Sequence, residues 1–294
     1  MQSWHQFSRL FLFLIAAGTL GLSGCNKEEF DPNKTGALTL EFDARAGSSD
    51  LAMGATYTNA SGEDFTVSKF QYYVSNIVLT TADGSTYRVP TSATSGYYLV
   101  SESGTQDVIL ENIPENNYTR LQFMVGVDSL RNTMAPEKRA GDLDVGDMQT
   151  GGDMYWSWNS GYIFMKFEGV AAAVPDSTPG LWVQDANGNW SFDTNQYTYW
   201  NDIFNIHIGG YGGYDTPTPN NNRIITLDLP TDETLEMREG STSAKIHLTV
   251  DILKIMDGST THSFTEYYQE HSPMRTGSIA NNYLNMFSVM YVEN

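Results

Sequence analysis

The chain is poor in cysteine and in basic residues. Cys25 is the only cysteine among 294 residues, so a disulfide within the chain is excluded. Lysine and arginine number 16 against 35 aspartates and glutamates, which gives a formal net charge of -19. Nucleic-acid phosphates require a basic surface, and this charge balance therefore excludes a nucleic-acid partner.

Signatures of catalysis and of zinc binding are also missing. The sequence has no H-E-x-x-H or C-x-x-C pair for zinc, no G-x-S-x-G nucleophile turn and no P-loop. Its 40% of hydrophobic residues and 13% of aromatics nevertheless suit a folded protein with a sizeable core. We therefore expect a globular protein and, since nothing points at a catalytic group, not an enzyme, although sequence spacing leaves a carboxylate pair for glycoside hydrolysis open.

Residues 1–24 are predicted to be a lipoprotein signal peptide. The apolar run at 10–22 is too short to span a bilayer, and "LSGC" after it resembles the bacterial lipobox, in which Cys25 receives the lipid. The alternative is an ordinary signal peptide with a chance cysteine. Residues 25–36 form a polar tether whose "CNKEEF" resembles a surface-export signal. We predict an outer-membrane lipoprotein that the lipid holds on the membrane, with exposure at the cell surface left open.

The rest of the chain has the pattern of short strands. Leu38, Leu40 and Phe42 alternate with polar residues, and 65–90 holds two strands around an Asp-Gly turn signal. Only 279–287 suggests a short helix. We predict an all-β fold, an antiparallel β-sandwich with long loops and little helix, as one domain over residues 37–294.

The stretch "DMYWSWNSGYIFMKFEG" at 153–169 is rich in aromatic residues. Residues 162–167 are apolar on both faces, which predicts a central strand, and Lys166 within it needs a carboxylate partner or solvent. Trp156 and Trp158 share a face ahead of that strand. They are either core residues or the wall of a site.

Three residues are candidate metal ligands. His207 lies in "FNIHIGG", where glycines let the backbone approach a ligand closely. Met274 lies near His271 and carries a soft thioether of the kind that binds Cu(I). Each of the three could instead be an ordinary residue without a metal.

A calcium site is a weaker alternative in the loop 142–153. Asp142, Asp144, Asp147 and Asp153 fall within this segment, as hard oxygen ligands for calcium would. The spacing departs from the EF-hand pattern, because Gly146 takes the place of an acid. A solvated acidic loop is the other interpretation.

Several segments together resemble the MbnP-like copper-binding protein family, across roughly residues 37–294. The resemblance implies a β-rich domain that binds copper as Cu(I) through histidine and a kynurenine, which a diheme cytochrome c peroxidase-like partner makes from tryptophan. His207 in "HIGG" matches a family histidine, and Trp156 and Trp158 are the candidates for oxidation. Ala44 stands where the family has another histidine. The matching segments are 65–79, 126–133, 153–169, 204–210 and 279–289.

Two functions follow from these observations. The first is copper binding by a cell-envelope lipoprotein for acquisition, storage or handling of the metal. The alternative is a glycan- or protein-binding β-sandwich without metal. An exposed, coplanar set of Trp182, Trp190 and Trp200 would favour that alternative.

Overall fold

Strands with one buried and one open face build two sheets that pack against each other. The computed structural model describes residues 30–144, 146, 153–156, 161–213 and 216–294. Within these, residues Asp31–Asn294 form one compact unit. The signal peptide and Cys25 lie outside the described residues, so both stay predictions.

The described part of the chain is made of strands joined by loops and a few short helices. The strands are β1 Thr35–Ala46, β2 Ser49–Asp50, β3 Thr56–Thr58, β4 Asp64–Thr81, β5 Thr86–Arg88, β6 Tyr97–Ser101, β7 Asp107–Pro114, β8 Asn116–Val125, β9 Tyr155–Trp156, β10 Gly161–Ala171, β11 Ser177–Gln184, β12 Trp190–Tyr199, β13 Ile203–Gly209, β14 Arg223–Asp228, β15 Leu235–Met237, β16 Ala244–Asp251, β17 Gln269–Glu270 and β18 Phe287–Glu293. The helices are α1 Ser129–Asn132, α2 Leu253–Met256 and α3 Gly277–Asn282, with 3-10 turns at Pro136–Lys138, Gly141–Leu143 and Tyr283–Asn285.

The sheets are mixed, which corrects the antiparallel prediction. The first sheet runs β18-β16-β1-β2 with β7 also on β1, and the second runs β14-β8-β4-β10-β13-β17 with short strands added at its sides. β1 pairs with β16, and β13 with β17, in parallel. Neither pair is joined by a hairpin, so nothing in the connection forces the strands to run in opposite directions.

Aromatic side chains fill the space between the two sheets. Phe42 of β1 meets Tyr72 of β4 and Phe123 of β8 at ring-centroid distances of 6.0 and 5.7 Å, with the rings edge to face. Such edge-to-face pairs are favourable beyond the area they bury. The predicted all-β sandwich is therefore confirmed, with its core between the inward faces of both sheets.

β10 is the central strand that the sequence predicts. It lies between β4 and β13, and Tyr162 through Phe167 are all buried. A bulge between Ile163 and Met165 places Ile163 with Tyr162 in a smaller cluster beyond the main core. The predicted hairpin around residues 82–85 and a short helix at the predicted place, α3, are present as well.

Two further features bear on the sequence predictions. β1 begins at Thr35, so its first two residues belong to the segment predicted as tether. β11 and β12 pair only with each other and form a separate two-stranded sheet. In the described part of the chain, no helix has the length and apolar character to cross a membrane.

Candidate functional site

A row of polar side chains lies on the outward face of the second sheet. In the antiparallel register of β10 and β13, Lys166 is opposite His207. The alternate residues Phe167 and Ile206 point into the core between the sheets. Because strand side chains alternate in direction, Lys166, Glu168 and His207 are placed on the other face together.

His207 is held by a carboxylate on the neighbouring strand. Its Nε2 lies 2.7 Å from Oε1 of Glu168, and its side chain is 14% exposed. Burial raises the pKa of Glu168, but the bond from His207 and the nearby Lys166 lower that pKa by more, so it falls below its ordinary value. The ionised carboxylate can only accept, so Nε2 is the donor of this bond, and the lone pair of a neutral ring would be on Nδ1.

His271 is brought beside His207 by the parallel pairing of β17 with β13. Ile206 is in register with Glu270, so the next residues on the two strands are neighbours. The two imidazole rings lie 4.5 Å apart between centroids, tilted by 37°. Burial, with a smaller contribution from His207, lowers the pKa of His271 to about 4. Its Nε2 is buried and has no hydrogen-bond partner among the described residues.

Asp153 closes the other end of the row. Its carboxylate accepts from Lys166 Nζ at 2.9 Å, from Lys69 Nζ at 3.0 Å and from Gln71 Nε2 at 2.6 Å, and its backbone carbonyl accepts from Lys166 as well. Burial raises the pKa of Asp153, but these donors lower it far more, well below its ordinary range. Lys166 thus has the carboxylate partner that the sequence required.

Trp156 lies within the same neighbourhood. It ends β9, is 4% exposed, and its ring covers Gly209, where an added Cβ would lie 2.6 Å from Trp156 Cζ3. Met274 is 73% exposed and lines the same cavity as Trp156. Trp158 lies outside the described residues. The structure therefore brings His207 and His271 into contact, while Trp156 and Met274 line a cavity whose described wall includes neither histidine.

Ala44 is on a different face from the histidine pair. It lies on the inward face of β1, 7% exposed, in the core between the sheets. His207 is on the outward face of the second sheet. The side chain at position 44 is therefore not part of the arrangement around His207.

The aspartates predicted for calcium are divided among separate interactions. Asp142 accepts from the amide of Leu99 at 2.7 Å, Asp144 accepts from the amide of Gly146 at 2.9 Å, and Asp153 holds the two lysines. Asp147 lies outside the described residues. No group of three or more His, Cys, Asp or Glu placed to hold a metal occurs among the residues the structure describes. The calcium site stays a prediction.

The tryptophans named for the alternative function do not form one exposed platform. Trp182 and Trp190 are each 62% exposed on the hairpin of β11 and β12. Trp200 is half-buried, packs edge to face on Tyr268 and donates to Thr178 Oγ1 at 3.1 Å. The ring of Phe192 is tilted by 56° against that of Trp182, so the hairpin presents angled rather than coplanar rings.

The sequence analysis missed Glu168 as a partner of the site. The signal was present, because Glu168 follows Lys166 by two residues on a predicted strand and therefore shares its face. Asn221 was missed as well. Its Nδ2 donates to the carbonyls of Gly209 at 2.8 Å and Pro273 at 3.0 Å, which ties the segment after His271 to the end of β13.

Comparisons with known proteins give one family match. A family model described as MbnP matches residues 35–273. A solved structure of MbnP from Methylosinus trichosporium is 14% identical with a TM-score of 0.48, over 83% of this chain and 84% of that one. A second, from a Bacteroides eggerthii protein assigned to cell adhesion, is 9% identical with a TM-score of 0.18, over 90% and 97%. No curated protein matches the chain.

Proposed function

The chain belongs to the MbnP family, and from this membership we propose that it binds copper as Cu(I) between His207 and His271. The observation that carries the proposal is the contact of the two imidazole rings at 4.5 Å. Imidazole is a good copper ligand, and Cu(I) also accepts soft thioethers.

The surroundings of the two rings support a shared metal. A metal ligand must be a neutral imidazole. The lowered pKa of His271 keeps that ring neutral at physiological pH, and its buried Nε2 lacks a hydrogen-bond partner among the described residues. Glu168 accepts from Nε2 of His207 and so fixes the tautomer that leaves Nδ1 free. A carboxylate behind a ligating histidine commonly orients the ring and makes it a stronger donor.

We propose stoichiometric binding without turnover, in a lipoprotein that Cys25 anchors in the outer membrane. The "LSGC" motif supports the anchor. Growth with a labelled fatty acid should mark the wild-type chain and leave Cys25→Ser unlabelled. The oxidised tryptophan and the diheme partner rest on the family resemblance alone. Intact mass of protein from its native host, measured with bound metal, would report copper and tryptophan oxidation together.

The copper proposal is tested by titrating the full chain with Cu(I) against a competing chelator. We expect one ion per chain with a Kd below about 1 μM. His207→Ala and His271→Ala each remove a proposed ligand and should weaken Cu(I) binding by more than about 100-fold. Loss of a residue that only hydrogen-bonds a ligand usually costs about 10- to 100-fold. Glu168→Gln should cost about 10- to 100-fold.

His247→Ala is the matched control, because His247 is a strand histidine on the other sheet. It should leave the affinity unchanged. Wild-type binding weaker than about 1 μM would contradict the proposal, as would equal losses in all three histidine variants.

A further inference from the structure

A cavity of about 340 Å³ opens beside the histidine pair. Trp156, Tyr211, Pro273 and Met274 form its apolar wall, and the remaining lining residues are glycines and hydroxyl-bearing side chains. None of the described lining residues is charged. Such a wall offers little to a hard cation, whose ligands are charged or carbonyl oxygens.

Two connections place this cavity next to the imidazoles. Ser272, which lines it, directly follows His271 in the chain. Trp156, which also lines it, covers Gly209 at the end of the strand that carries His207. Residues close to both histidines in the chain or at the end of β13 therefore meet at the cavity, whose described wall contains neither imidazole.

The segment that joins His271 to Met274 is fixed in place. Asn221 is 1% exposed, and its amide group donates to Pro273 and to Gly209 at once. The thioether of Met274 is consequently carried on a backbone that is tied to the same strand end as His207. The relative position of the methionine and the imidazoles is thus set by the fold.

Met274 is far more exposed to solvent than the histidines are. His207 is 14% exposed at its side chain, whereas Met274 is 73% exposed. The thioether is therefore more open to an ion from solvent than the imidazole of His207 is. Among the cavity's described lining residues, Met274 carries the one side chain that is a soft ligand for Cu(I).

We propose that Met274 is a capture ligand that takes up Cu(I) at the cavity and passes it to His207 and His271. This inference rests on the proposed copper function. The transfer is a ligand exchange without redox change: a copper–sulfur bond breaks as copper–nitrogen bonds form, and the ion stays Cu(I). The ligand that delivered the ion is released when the thioether binds.

The test measures the rate and the equilibrium of uptake separately. The full chain is mixed with Cu(I) supplied as its bicinchoninate complex, and loss of the complex is followed by stopped-flow absorbance. Met274→Leu conserves volume at an exposed position and should leave the fold unchanged. We expect it to slow uptake on the order of tenfold. The equilibrium Kd should change by less than about twofold, which is under 0.5 kcal/mol.

Met290→Leu is the matched control, because Met290 is 40% exposed on β18 in the other sheet. It should change neither quantity. An unchanged rate in Met274→Leu would overturn the capture role while leaving copper binding intact. A Kd raised about tenfold would make Met274 a resident ligand and would also overturn it. Wild-type protein that takes up no Cu(I) would instead remove the proposed function itself.

Discussion

Two strand histidines of this protein occupy similar places and have opposite surroundings. His207 and His247 both lie on sheet strands and are both largely buried. The nitrogens of His247 face Glu41 at 3.3 Å and Glu293 at 3.4 Å, and its ring stacks on Tyr291 at 3.9 Å. Carboxylates lie near both nitrogens, and the ring in contact with His247 belongs to a tyrosine rather than to a second imidazole.

His207 differs by having one carboxylate and one imidazole as neighbours. Glu168 accepts from Nε2, and the ring centroid of His271, directly after β17, lies 4.5 Å from that of His207. A second neutral nitrogen donor makes the difference between an ion-pair site and a candidate copper site. Burial and strand position are alike in the two cases, so neither identifies a ligand.

The largest expected effect concerns Asp153, the carboxylate that pairs with Lys166 on the face of the sheet that also carries His207. Asp153→Ala leaves Lys166, whose side chain is 8% exposed, with only Glu168 at 3.8 Å as an ionic partner. Lys166 would stay buried without this partner, but Asp153 itself is 53% exposed, so we expect a loss of about 2 kcal/mol. Urea unfolding measures it. Asp228→Ala, which breaks an exposed pair with Arg120, should cost less than about 1 kcal/mol. Equal losses would contradict the account.

The tryptophan wall is a second difference between the two histidines. A Cβ on Gly209 would lie 2.7 Å from the carbonyl oxygen of Tyr162 and 2.6 Å from Trp156. The backbone oxygen cannot easily move, so Gly209→Ala should cost about 1–3 kcal/mol and shift the Trp156 fluorescence. Gly104→Ala is the control, because its nearest atoms are 3.4 Å away. Unchanged emission in Gly209→Ala would show that the ring does not cover this strand end.

The pH dependence of stability gives a third, smaller contrast. The pKa of His271 in the folded chain is about 4, below the ordinary value of 6.5. As the pH falls, His271 therefore takes up a proton in the unfolded chain at a higher pH than it does in the folded chain. The stability that neutral His271 contributes is complete above about pH 6.5 and falls on acidification toward about pH 4. His271→Gln should flatten this decline in urea unfolding at several pH values. A decline in His271→Gln as steep as that of the wild type would contradict this expectation.

The smallest expected effect on stability is that of removing Glu41, which lies beside His247. Glu41→Ala removes the partner of Lys245 at 2.6 Å, but both side chains are about one-third exposed. A solvated pair contributes little, so the loss should be below about 1 kcal/mol. Cu(I) titration of this variant should match the wild type. New copper binding would mean that freeing one nitrogen of His247 is enough to create a site.

Local sequence patterns predicted the strands better than they predicted which side chains contact each other across them. The run 162–167 is apolar on both faces, and it is the central strand of its sheet. Lys166 was expected to need a carboxylate, but Asp153 was assigned to the calcium loop because its nearest acids in sequence are Asp142, Asp144 and Asp147. Spatial neighbours from β4 and β10 instead surround it.

The histidine pair could be named residue by residue but not as a pair. His207 and His271 meet because β13 and β17 run in parallel, and such pairing has no turn signal in the sequence. The same absence explains why a purely antiparallel sandwich was expected. Position 44 could not be judged from sequence either, because only the sheet packing shows that its side chain lies in the core.

The parallel pairing of β1 with β16 also has a consequence for folding. Leu38 is in register with Ala244, so one side of β1 stays without a strand until the last part of the chain is available. Contacts this distant in sequence form slowly. We expect a chain that stops before residue 244 to remain sensitive to protease at residues 35–46, where the full chain is protected. Rapid protection of the shortened chain would contradict this order of events. A nascent chain whose first sheet is still open can be threaded through a narrow pore.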